Sequence, residues 1–138
     1  MTTEQVYTQS FNSREQIQKN DCWDVEKLYG SWEAWEKQMQ LFAREKQTPH
    51  WPEIAVFESN WQKSPEQLKG LIETCMEMER QLSKLYTYAH LRHDEDVAEE
   101  VAKIAMSRIG TILYAFRQET AWIEPALLRA SELDAFIK

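Results

Sequence analysis

Between Leu68 and Asp96 the apolar residues recur with the period of a helix: Leu68, Cys75, Leu82 and Ala89 stand one heptad apart, and Leu71, Met78 and Leu85 fall three residues after the first three. A seam of this kind can be buried only against another helix. Just upstream, Ser64 offers a capping hydroxyl, Pro65 fits the first helical position, and Gln67 stands three residues after the cap, so a helix is expected from about Pro65 to His93. Downstream, Asp94, Glu95 and Asp96 break the pattern, and a second helical run opens at Val97 with Asp96 as its cap and Glu99 and Glu100 near its positive end. Together they predict a long antiparallel helical hairpin at the centre of an all-α bundle.

The second helix of the hairpin is expected to reach about Ile123. It carries Ala98, Val101, Ala105, Ile109, Ile112, Phe116 and Ile123 on one face, with Met106, Leu113 and Tyr114 round the side. So wide an apolar arc needs cover on more than one side. Earlier in the chain, Ser31 caps a helix expected to run to about Gln47, with Trp32, Trp35, Met39 and Phe42 inward, until Thr48, Pro49 and Pro52 interrupt it. A short helix from Pro52 then turns Ile54, Phe57 and Trp61 inward. Residues 1–30 form an extended lead-in that ends in a docking motif, WDVEKLY, whose Trp23, Val25, Leu28 and Tyr29 need a groove. Residues 31–138 form the helical domain. Pro125 restarts a short helical turn, and Ser131 to Asp134 announce another helix whose body is cut short at Lys138, so the domain reads as truncated there.

Composition narrows the function classes. Only 3 Gly and 4 Pro among 138 residues argue against a β sandwich or barrel. A net charge of -7 repels phosphate backbones and anionic lipid surfaces, so neither nucleic acid nor membrane is an expected partner. With no signal peptide and no span of about 18 apolar residues, a cytoplasmic protein is expected. Cys22 and Cys75 have no second ligand at metal spacing and read as reduced thiols.

His50, His90 and His93 are the three histidines; none follows a Glu at the spacing of di-metal carboxylate helices, and no His-Glu-x-x-His occurs. Residues 90 and 93, beside Asp94 and Asp96, gain from the negative end of their helix without any metal. No catalytic or metal residue is assigned on this chain. Trp32, Trp35, Trp61 and Trp122 read as core residues, whereas Trp23 and Trp51 fall in connecting segments where either role is open. Tyr86, Tyr88 and Arg92, near the acidic corner, are the candidates for lining a peptide channel.

Arg14-Glu-Gln-Ile followed by Trp23-Asp-Val-Glu-Lys-Leu-Tyr-Gly-Ser31 resembles the amino-terminal signature of the oligoendopeptidase F family of zinc metallopeptidases, with Val25 in place of the usual leucine. The resemblance continues through the Ser64 helix start, through Leu85-Tyr-Thr-Tyr-Ala-His-Leu-Arg-His-Asp-Glu-Asp96, and into Phe116 to Leu128. It implies that this chain is one wall of the substrate channel of a larger enzyme. The partner would then be the catalytic carboxy-terminal part of the same protein, the substrate an oligopeptide, and the cofactor a zinc ion held by that other part, with none on this chain. The alternative is a free-standing helical interaction module without enzymatic activity.

Overall fold

The computed structural model describes residues 14–138; Val6, Tyr7 and Phe11 of the lead-in lie outside the described residues. From Arg14 the chain winds through short 3-10 turns at Arg14–Gln16, Lys19–Asp21 and Val25–Lys27. Six α-helices follow among the described residues: α1 Trp32–Gln40, α2 Pro52–Ala55, α3 Pro65–Glu95, α4 Glu100–Thr120, α5 Ile123–Arg129 and α6 Leu133–Ile137. No strand occurs among them, so the fold is the expected all-α bundle, and none of these helices is long and apolar enough to cross a membrane.

The hairpin of α3 and α4 is the frame. Ser64 caps α3 by accepting from the Gln67 amide at 3.2 Å. Along the seam Leu71, Leu82, Leu85 and Ala89 are fully buried, and Leu68, Cys75 and Met78 pack half-buried against the same core. Against this frame lie α1, through Trp35 and Met39, the Pro52 turn, through Ile54, and Val25 from the lead-in motif; Leu28 and Tyr29 pack beside it, while Trp23 stays exposed.

Three expectations are corrected. The first helix ends at Gln40 instead of Gln47, because Arg44 turns its guanidinium onto tertiary partners: it donates to the His50 carbonyl at 3.1 Å and pairs with Glu53 at 2.7 Å. The second hairpin helix starts at Glu100 instead of Val97, because the Asp96 carboxylate accepts from the Ala98 amide two residues on, at 2.9 Å, and holds a turn there. Its inward stripe is Ala102, Ala105, Ile109, Leu113 and Phe116, so Val101, expected inward, is exposed, and Ala98 precedes the helix. Tryptophans 35 and 61 are buried as expected, and Trp51, left open by the sequence, is 2% exposed.

Two helix glycines differ in what surrounds them. A Cβ at Gly70 would stand 3.1 Å from the Phe57 ring, a tight approach that offsets the usual gain in helix propensity. A Cβ at Gly110 would meet nothing within 4 Å. Gly110→Ala should therefore raise stability by about 0.5–1 kcal/mol, seen as a higher urea midpoint, whereas Gly70→Ala should move it far less.

Candidate functional site

Where α1 crosses α4, aromatic rings and arginines interleave. The Trp32 indole donates to Glu99 at 3.3 Å, meets the rings of Trp35 and Tyr88 edge-on at 5.6 and 5.1 Å, and carries the Arg92 guanidinium 5.6 Å above its face. Trp35, 1% exposed, donates to the Leu85 carbonyl at 2.9 Å, and Arg108 lies 5.8 Å over its ring. Arg108 also grips both oxygens of Glu36 at 2.6 and 2.7 Å, and this bidentate bond holds the Glu36 carboxyl below its usual range. Between these groups runs an open groove of about 440 Å³, walled by Trp32, Trp35, Val101, Ile104 and Ala105 and closed by the Glu36–Arg108 pair. Val97, Val101 and Ile104 are 65%, 51% and 52% exposed on the same helix approach. Aliphatic and indole walls of this kind bind apolar surface, and Glu33 and Glu36 add carboxylates to the lining.

The three channel candidates do not converge. Tyr88 is buried edge-on to Tyr29 and Trp32, and burial pushes its hydroxyl pKa up. Arg92 is folded onto Trp32 and pairs with Glu99 at 3.6 Å. Tyr86 points to a different face, where Ser83, Thr87, Gly110, Leu113, Tyr114 and Arg117 line a second groove of about 480 Å³. The histidines at the helix end bracket one carboxylate, His90 at 3.0 Å and His93 at 3.5 Å from Asp94. Among the described residues no group of three or more His, Cys, Asp or Glu is placed to hold a metal ion.

Sequence reasoning missed Glu119. Its carboxylate accepts from the amides of His50 at 2.8 Å and Trp51 at 3.0 Å and contacts the His50 ring, fastening the loop of residues 41–51 to the end of α4. Burial alone would raise its pKa, but the bonds from the His50 amide and ring and the Trp51 amide outweigh that and lower it. The partners lie 69 and 68 residues away in the chain, and no local pattern marks them.

This helical frame is shared with a peptidase fold: the crystal structure of a candidate peptidase from Chlamydophila abortus superposes with a TM-score of 0.75 at 33% identity, over 89% of this chain and 20% of that one. The chain is similar in sequence to proteins named oligoendopeptidase F, at 21–23% identity. It is similar to oligopeptidase PepF of Bacillus subtilis, 24% identical over 119 residues, 86% of this chain and 17% of that protein. It is similar also to group B oligopeptidase PepB of Streptococcus agalactiae, 29% identical over 125 residues, 89% of this chain and 20% of that protein. Chromosomal oligoendopeptidase F of Lactococcus lactis is 21% identical over 130 residues. No family model matches the chain. The chain thus spans about a fifth of the length of the relatives it matches.

Proposed function

We propose that this chain is the amino-terminal helical region of a zinc-dependent oligoendopeptidase and forms one wall of its substrate channel. The observation that carries this reading is the similarity to oligopeptidases across 86% or more of this chain set against a fifth or less of theirs. The exposed Val97, Val101 and Ile104 beside the tryptophan groove support it, because an apolar face of this kind suits cover by the rest of a larger protein. In such an enzyme zinc would polarise the scissile carbonyl and activate water, and the residues that hold it would lie in the other part of the protein. The cytoplasm is the compartment we assign to it.

The test is the reading frame beyond Lys138. It should encode His-Glu-x-x-His, and the longer polypeptide should cleave an internally quenched oligopeptide and stop on addition of a chelator, while the 138-residue chain alone cleaves nothing. A stop codon after Lys138 with no such partner, or chelator-sensitive cleavage by this chain, would overturn the reading. The first of those outcomes, with a partner protein covering the groove of α1 and α4, would favour an interaction module instead.

A further inference from the structure

The groove around Tyr86 has features that packing within this chain does not account for. Gly110 occupies the middle of α4, where glycine weakens a helix, yet a Cβ there would meet nothing within 4 Å. Glycine in a helix that no neighbour crowds leaves the backbone open to close approach from outside. Seven residues further along α4 stands Arg117. Arg44, Arg80, Arg92 and Arg108 each pair with a carboxylate, but Arg117, like Arg129 on α5, has none within ion-pair distance among the described residues. The groove lining holds no acidic side chain, so in a chain of net charge -7 it is a local cationic spot. Its remaining polar groups are hydroxyls, Ser83 and Thr87 on α3 and the exposed Tyr86 and Tyr114, above a floor of Leu113.

We propose that this groove binds the carboxylate end of an extended peptide, whose backbone crosses the helix at Gly110 and whose terminal carboxylate is held by Arg117. Arginine presents two parallel N–H donors that match a carboxylate, and hydroxyls can donate to or accept from a peptide backbone in either register. Gly110 supplies the clearance: the peptide plane comes closer to the helix than a methyl group would allow. The choice of a peptide as ligand rests on the peptidase reading above, but the site requires no hydrolysis and stands on residues of this chain alone.

The experiment titrates the isotope-labelled 138-residue chain with trialanine and with trialanine amide, following backbone amide resonances; Gly110 is one of only 3 glycines, so its signal is readily assigned. Trialanine should give saturable shifts at Gly110, Tyr114 and Arg117 with a Kd in about the millimolar range, and the amide should bind about tenfold more weakly. Arg117→Gln should bind both peptides alike and weakly. Gly110→Ala should melt at a higher temperature than the unaltered chain and still lose binding, which separates loss of the site from loss of the fold. Equal binding of acid and amide, absence of saturation, or indifference to both substitutions would overturn the proposal. So would shifts at the same residues that grow with protein concentration in the absence of peptide, which would assign the groove to a second copy of the chain. Because the assay reads binding without cleavage, a failure here leaves the peptidase reading to its own test.

Discussion

Replacing Trp35 with alanine should cost about 3–5 kcal/mol of folding stability, measured as a fall in the urea midpoint at unchanged slope. The indole is 1% exposed and packed in the core between α1 and the hairpin. Its truncation opens a cavity that the surrounding rings, held edge-on at 5.6 Å for Trp32, can refill only in part. It also removes the 2.9 Å bond to the Leu85 carbonyl, a link between residues 50 apart that ties α1 to the hairpin. Trp35→Phe keeps most of the volume and loses the indole N–H, so its cost should be the smaller. A midpoint shift within about 0.5 kcal/mol for Trp35→Ala would show that the side chain is not buried as described.

Glu119→Ala should cost about 2–4 kcal/mol, because it strands the amides of His50 and Trp51, whose acceptor among the described residues is that carboxylate. Glu119→Gln is not a harmless replacement, since its NH₂ would face one of those N–H groups donor to donor. The same site sets a pH dependence. A carboxyl whose folded pKa lies below the unfolded value of 4.5 stabilises fully above that value, and the contribution is lost as pH falls through the folded pKa. Acidification below about pH 4.5 should therefore destabilise the native chain more steeply than Glu119→Ala, and the two curves should converge at low pH. Thermal unfolding between neutral pH and pH 3 checks this; parallel curves would mean that the carboxylate contributes no pH-dependent stability. Glu36, held low by Arg108, acts in the same direction in both proteins and cancels in the comparison.

The hairpin was legible because its information is local. The Ser64 cap, the heptad seam and the acidic corner each lie within a few residues of what they control, and Leu71, Leu82, Leu85 and Ala89 are buried where the period places them. The errors came where distant groups overrode local preference. Residues 41–47 have the composition of a helix, but Arg44 serves His50 and Glu53 instead. Val101 lost its place to Ala102 because α4 begins later and meets α3 along a narrower, smaller-sided stripe than the apolar count implied. For the candidate sites the limit was sharper. Tyr86, Tyr88 and Arg92 share a short run of sequence, yet helical geometry sends Tyr86 to one groove and the other two toward Trp32. The Glu36–Arg108 grip joins residues 72 apart, and neither partner stands out in the sequence.

The loop of residues 41–51 carries no regular helix, yet it is anchored at both ends: Trp51 lies edge-on to Phe116 at 5.3 Å, Phe42 is buried, and Arg44 and Glu119 bind its backbone and neighbours. Releasing either end of it means pulling an aromatic ring, Phe42 or Trp51, from the core. The ends of the segment are thereby tied to the bundle, so the amides of His50 and Trp51 should exchange with solvent as slowly as those of α3 and α4, and faster exchange would show that the ends open on their own.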